Sequence, residues 1–179
     1  MNVPIDFLIE CFQYSPETGL LLWKRRPESH FKSAKYAKAF NSTLAGKQAG
    51  SEMNNGYLMV QVRFMGTKGG ILVHRIAWAI TNKQWPAGML DHVNRSRKDN
   101  RISNLREVSS EENTWNAKRK PGRYPVGVIG PQKKCKKFCA RIRVSRKFVI
   151  LGYFDTAEEA GIAYQKEAIL RRGEFHFRQ

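Results

Sequence analysis

The chain has 179 residues, 41% of them hydrophobic, which is enough for one ordinary domain or two small ones with packed cores. Its 32 Lys and Arg residues against 15 Asp and Glu give a formal net charge of +17, which favours nucleic acid as the partner and disfavours self-association. Because no long apolar run and no basic-then-apolar leader occurs, we expect a cytoplasmic monomer that does not bind membranes.

The first part of the chain contains short predicted elements separated by a basic stretch. Residues 5–12 predict an apolar helix, and residues 20–23 predict a strand after a turn at 15–19. The basic residues of 24–47 alternate with aromatic ones, a composition that fits an arm along a DNA backbone as well as a solvated loop. Asn55-Gly56 predicts a hairpin before a strand at 57–64, and the glycine-rich residues 66–70 predict a turn.

The middle of the chain predicts a strand that becomes a helix over 71–80, and then a hairpin over 89–108. A helix should begin at Ser109, where Ser109 and Glu112 form a capping box. The basic, Pro-Gly-containing segment 118–123 predicts a linker. We therefore expect one domain at 1–120 and a second at 121–179, with basic residues in excess in both.

The second domain follows a simple pattern. Residues 126–128, 138–144 and 148–152 predict three short strands, and a helix follows from the capping box of Thr156 and Glu159 to about Arg171. The pattern predicts a three-stranded antiparallel sheet packed on one helix, and the whole chain is expected to be α+β. The small and apolar positions expected to pack on the sheet are Ala157, Ala160, Ile162, Ala163, Tyr164, Ala168 and Ile169.

Polar residues that could bind a metal or take part in catalysis concentrate at 90–106 (LDHVNRSRKDNRISNLR) and 112–116 (ENTWN). Adjacent Asp91 and His92 on an extended segment point in opposite directions, so that one can hold a metal while the other faces an attacking water. Carboxylate and amide oxygens are hard ligands that suit Mg²⁺ or Mn²⁺. Taken alone, the same composition also fits a loop rich in Asp and Asn turns.

This segment resembles the HNH endonucleases, and among them the phage and intron-encoded group whose motif reads Asp-His, then Asn-Arg-x-x-Asn-Leu-Arg, then Asn-x-x-Asn. The resemblance extends back through His74-Arg75 to Tyr57 and Gly19. It implies a ββα-metal nuclease domain at 1–120. The roles that it implies are general base for His92, metal ligands for the catalytic Asp91 and Asn113, and structural positions for Asn104, His74 and Asn116.

Asn116 stands where the family often has His, which favours a hard cation over a transition metal. Arg95, Arg97 and Lys98, within the motif, are expected to contact DNA.

The C-terminal segment resembles the plant APETALA-two or ethylene-response-factor DNA-binding domain. The likeness lies in Gly127-Val128, in 137–142 (KFCARI), in 151–160 (LGYFDTAEEA) and in Ala163-Tyr164. It implies that the sheet enters the major groove, with Lys137, Arg141 and Arg143 among the DNA contacts. Phe138 stands where the plant family commonly has Trp, and Ile129 replaces its usual Arg, so no base preference can be transferred.

These patterns predict a phage-type, homing endonuclease that hydrolyses phosphodiester bonds in double-stranded DNA with Mg²⁺ or Mn²⁺. A single active site per chain favours nicking. Two other classes stay open: a non-catalytic, sequence-specific DNA-binding regulator, and an RNA-binding protein, since charge does not distinguish RNA from DNA. We predict no function for His30 or His176.

Overall fold

A computed structural model describes residues 3–110, 112–113, 122–131, 136–144 and 147–173. The chain divides into two compact units, Met1–Ser109 and Ser110–Gln179. Both contain helices and antiparallel sheets, so the fold is α+β as predicted. Among the residues described, no helix combines the length and the apolar content that crossing a bilayer requires.

The first unit is built around helix α3, which packs against α1 and against strands β4 and β5. Val73, Ile76 and Ala79 occupy its buried face at helical spacing. The elements of this unit are α1 (Ile5–Cys11), β1 (Phe12–Tyr14), β2 (Leu21–Trp23), α2 (Ala34–Leu44), β3 (Ser51–Glu52), β4 (Leu58–Phe64), β5 (Thr67–Leu72), α3 (Val73–Asn82), β6 (Met89–His92) and β7 (Leu105–Val108), with 3₁₀ turns at Glu28–His30 and Ile102–Asn104.

The basic stretch at 24–47 is not a loop, because Ala34–Leu44 form helix α2 and Glu28–His30 form a 3₁₀ turn before it. Its contact with a DNA backbone stays a prediction. Ala37, Phe40 and Leu44 recur at spacings of three and four, and Ala37 is buried while the other two pack against the core from a half-buried position. This narrow apolar face is enough to dock the helix. Lys35 and Lys38 lie on its exposed faces, and their charge drew attention away from the spacing of the apolar residues in the sequence.

The turn predicted at 66–70 is also wrong in extent. A two-residue turn at Met65 and Gly66, with φ of 47° and 79°, joins β4 to β5, and the following glycines are in the sheet. A Cβ at Gly70 would lie 2.5 Å from Met59 Sδ. Gly70 therefore makes room for a neighbouring side chain and does not form a turn.

Among its described residues, the second unit contains the predicted three-stranded antiparallel sheet with a helix packed on it. The strands, in spatial order β10-β9-β8, are β8 (Val128–Ile129), β9 (Phe138–Val144) and β10 (Lys147–Phe154), and the helix is α4 (Ala157–Arg172). The capping box at Thr156 and Glu159 is present, and α4 packs on all three strands. The linker predicted at 118–123 lies mostly outside the described residues.

The buried face of α4 differs in part from the predicted one. Ala160, Tyr164 and Ala168 follow one another at four-residue spacing and are buried, whereas Ile162 and Ile169 are 57% and 38% exposed. Residues 162 and 169 are rotated away from the sheet, because only positions near the 160–164–168 line face it.

Candidate functional site

Asp91 and His92 end strand β6, and both are buried, with 9% and 2% of their surfaces exposed. The pairing of β6 with β7 places Asp91 opposite Arg106. Arg106 Nε and Nη2 both donate to Asp91 Oδ2, at 3.2 and 3.0 Å. Since an unpaired buried charge is costly, this ion pair stabilises the carboxylate and holds its orientation.

Asn100, which is 1% exposed, orients the His92 ring. His92 Nε2 lies 3.1 Å from Asn100 Oδ1. In the tautomer whose Nε2 donates to this amide oxygen, the lone pair of the neutral ring lies at Nδ1. Burial lowers the pKa of His92, so the neutral ring predominates at pH 7. His92 therefore has at Nδ1 the lone pair that proton abstraction requires.

Two other rings, His74 and Tyr57, pack beside His92. The centroid of the His74 ring lies 5.1 Å from that of His92, and Tyr57 lies 5.3 Å from His74 and 5.8 Å from His92. Burial, followed by the charges of His92 and Arg75, lowers the pKa of His74 to about 3. His74 is thus a neutral ring, and its Nδ1 has no hydrogen-bond partner among the described residues.

The loop between β6 and β7, residues 93–104, is held together by Asn104. Its Oδ1 accepts from the Asn94 backbone N–H at 2.9 Å, and its Nδ2 donates to Asn94 Oδ1 at 2.9 Å and to the Asp99 carbonyl at 2.8 Å. Asp99 in turn accepts from Arg101 and Asn94. Hydrogen bonds from Arg101, the largest contributor, and Asn94 lower the pKa of Asp99 to about 2. Side-chain hydrogen bonds therefore join the start of the loop, at Asn94, to its end, at Asn104.

The β1–β2 hairpin supports this loop from the N-terminal side. The Tyr14 hydroxyl donates to the Asn100 carbonyl at 2.7 Å. Gly19, in the hairpin turn, has φ of +73°, and a Cβ there would lie 2.5 Å from the Arg101 nitrogen. Glycine is thus required for backbone conformation and for close approach. The hairpin positions the residue that orients His92.

Of the motif asparagines Asn113 and Asn116, the structure describes only Asn113. Asn113 is half-buried in a helical stretch that includes residues 112 and 113, and it belongs to the second compact unit. Asn116 lies outside the described residues.

Asp91 offers a carboxylate oxygen that Arg106 orients, a hard ligand of the kind that Mg²⁺ and Mn²⁺ prefer. Within the described ranges, no group of three or more His, Cys, Asp and Glu side chains is placed to bind a metal.

The basic residues expected to contact DNA near the motif have specific partners. Arg97 is exposed, its guanidinium carbon lies 4.8 Å from the Tyr57 ring centroid, and its Nη1 donates to the Asn55 carbonyl at 2.6 Å. Lys98 pairs with Glu52 at 2.7 Å. Arg95 has a left-handed backbone, with φ of 63°. His92, His74 and Tyr57 form a cluster of packed rings, which we call the His92 cluster, and Arg97 lies at its edge against Tyr57.

The basic residues of the second unit lie on the sheet. The register sets Arg143 opposite Phe148 and Arg141 opposite Ile150. The Arg141 guanidinium carbon is 3.9 Å from the exposed Phe148 ring centroid, and that of Arg143 is 5.9 Å from it. These four side chains form one face of the sheet, which we call the arginine face. Lys137 pairs with Asp155 at 3.1 Å.

Sequence analysis assigned no role to Asn100 or Arg106. The antiparallel register of the predicted hairpin could have indicated Arg106, because cross-strand neighbours on one face interact directly. The contact between Asn100 and His92 depends on the path of the loop, which no periodic pattern encodes.

Comparison with known proteins identifies the segment that contains this cluster. Residues 72–114 match the HNH endonuclease family model. The match spans about a quarter of the chain, from the end of β5 through Asn113, and includes His74, Asp91 and His92. No curated protein sequence matches the chain.

One solved structure, described as "DNA binding and cleavage by the HNH homing endonuclease I-HmuI", is similar at 23% identity with a TM-score of 0.42. The alignment covers 65% of this chain and 57% of that one, so this chain spans less than two thirds of that structure's length.

Proposed function

We propose that this protein is a metal-dependent DNA endonuclease of the HNH type. The observation that carries the proposal is the buried pair Asp91 and His92, with His92 Nε2 held by Asn100, inside the segment that matches the HNH model. A neutral imidazole with a basic Nδ1, beside a carboxylate that can hold a cation, is the combination that phosphodiester hydrolysis uses.

In the proposed reaction, His92 Nδ1 removes a proton from a water molecule that attacks phosphorus in line with the leaving 3′ oxygen. The imidazolium that forms donates a hydrogen bond from Nε2 to Asn100 Oδ1. Asp91 and Asn113 would hold Mg²⁺ or Mn²⁺, which when bound neutralises the charge that develops on the phosphate. Tyr57 and His74 pack the His92 ring in one orientation.

We assign DNA binding by the second unit to the arginine face, by analogy with the APETALA-two type of domain. Phe148 restricts both guanidinium groups, so less side-chain entropy is lost when they bind phosphates or base edges. Such pre-ordered arginines suit the major groove of a duplex, where a two-stranded ribbon fits. On this proposal the second unit chooses the site, and the His92 cluster cuts or nicks near it.

Cleavage of supercoiled plasmid in Mg²⁺ tests the proposal. His92→Ala should slow cleavage by a factor on the order of 10²–10⁴, typical of general-base loss, while affinity for duplex DNA stays unchanged. Asn100→Ala should lose roughly 10–100-fold, because it releases the ring without removing it. Lys47→Ala, an exposed change outside the matched segment, should cut as the wild type does.

Three results would contradict this proposal. Wild-type rates for His92→Ala, with Asp91→Ala as the control for contaminating nuclease, would exclude the mechanism. A wild-type protein that binds duplex DNA and leaves plasmid intact in Mg²⁺ and Mn²⁺ would be a non-catalytic regulator. Stronger binding to duplex RNA than to duplex DNA in competition would indicate an RNA-binding protein.

A further inference from the structure

The first unit contains a cleft of about 820 Å³ that the proposed reaction does not use. It lies between α1, the segment 26–32, α2 and the β4–β5 hairpin. Its lining combines aromatic rings with three cationic side chains, and none of its described lining residues is acidic. The rings belong to Phe7, Phe31, Tyr36, Phe40 and Phe64, and the cations to Arg26, Lys32 and Arg63.

Arg26 is a buried cation with an incomplete set of partners. The residue is 6% exposed, and its guanidinium carbon lies 4.9 Å from the Phe31 ring centroid and 5.2 Å from that of Phe40. Its Nε donates to His30 Nδ1 at 3.3 Å, and a carboxylate, that of Glu10, is reached only through the His30 ring. Its Nη2 has no hydrogen-bond partner among the described residues.

A buried guanidinium without a carboxylate partner is costly, and buried polar atoms without partners are rare in folded proteins. The Asn41 side chain holds the Arg26 backbone with two hydrogen bonds: Arg26 N donates to Asn41 Oδ1, and Asn41 Nδ2 donates to the Arg26 carbonyl, both at 2.9 Å. The position is therefore built into the fold. An anion in the cleft would offset the cost of burying the charge.

The mixture of rings and cations restricts the class of ligand. The volume is within the range of small-molecule sites. Aromatic faces bind nucleobases by stacking, and lysine and arginine at the rim bind the attached phosphate. Tyr36 is 63% exposed, and Lys32 and Arg63 are exposed as well, so these three side chains are accessible from solvent.

The geometry points to a binding site for one unstacked nucleotide of single-stranded DNA, with its base among Phe31, Tyr36 and Phe40 and its phosphate near Arg26, Lys32 and Arg63. Enzymes that open or distort DNA hold displaced bases in such clefts. The inference goes beyond the proposed nuclease and is tested by binding without divalent metal. Its failure is therefore distinct from a failure of cleavage.

The test is fluorescence anisotropy of the full chain with a labelled single-stranded oligothymidylate of about eight nucleotides, in EDTA. Tyr36→Ala should weaken binding by roughly fivefold or more, the contribution of one stacked base, whereas Tyr36→Phe keeps the ring and the affinity. Lys32→Ala should weaken binding more than Lys47→Ala, which removes the same charge from an exposed position that does not line the cleft.

An abasic oligonucleotide of equal length separates the base from the phosphates. It should bind the wild type more weakly and respond little to Tyr36→Ala. If Tyr36→Ala weakens both probes equally, or if neither Tyr36→Ala nor Lys32→Ala affects the thymidylate, the cleft accepts another class of ligand, such as a peptide, and the inference is wrong. Both substituted side chains are exposed, and thermal melting verifies that the variants are folded.

Discussion

His74 links the His92 cluster to the stability of the fold. The ring is 4% exposed, and its folded-state pKa of about 3 compares with 6.5 for an ordinary histidine. An unfolded chain therefore binds a proton at this residue between pH 6.5 and pH 3, while the folded chain does not. Because the unfolded state binds more protons, the stability that neutral His74 permits is complete above pH 6.5 and declines as the pH falls toward 3.

We expect His74→Phe, which keeps a ring of similar shape, to reduce this pH dependence. Each proton taken up on unfolding changes the free energy of unfolding by ~1.4 kcal/mol per pH unit, so the slope of the variant between about pH 6 and 4 should be smaller by about that amount. Urea unfolding at several pH values measures both slopes. Equal slopes for the two proteins would mean that His74 is protonated in the folded state.

Among the secondary-structure elements, the β1–β2 hairpin has the most specific effect on the site. Gly19→Ala should lower the free energy of unfolding by more than the ~1–3 kcal/mol of a left-handed non-glycine residue, because its Cβ would also overlap the Arg101 backbone. Gly46→Ala is the matched control, since Gly46 has a similar φ of +80° and a Cβ added there would meet no atom within 4 Å. Denaturant unfolding of both variants compares them.

Gly19→Ala should also slow plasmid cleavage, since the displaced backbone includes Asn100. An equal loss of stability in both glycine variants would show that a Cβ at position 19 does not overlap the backbone of Asn100 and Arg101.

The sequence predicted elements well where one periodicity dominated. β9, β10 and α4 follow clear alternation or a capping box, and α3 has an unbroken apolar face. Prediction failed at α2, where Lys35, Lys38 and other polar residues surround a narrow apolar face, and at Gly69-Gly70, where Gly70 makes room for Met59. The motif includes Asp91 and His92, but the contact of Asn100 with His92 and the burial of Arg26 against Phe31 and Phe40 depend on tertiary neighbours that local patterns do not encode.

At the scale of the whole molecule, the two compact units suggest separable tasks. A chain ending at Arg119 should retain the His92 cluster and cut plasmid weakly, because Asp91 and His92 lie within the first unit. It should lose site preference, since the arginine face is removed. Mapping of cleavage positions on one plasmid by the full and shortened chains measures this. Unchanged positions would assign target choice to the first unit.

The hydrogen bond between Tyr14 and Asn100 joins residues 86 positions apart in the sequence. Closing so long a segment has a high entropic cost, and the contact forms only when the intervening chain has collapsed. During synthesis the hairpin leaves the ribosome first, and the loop that it supports is made much later. On the proposed function, the loop that orients His92 would therefore be completed late in folding, and a nascent chain emerging near nucleic acid would not yet cut it.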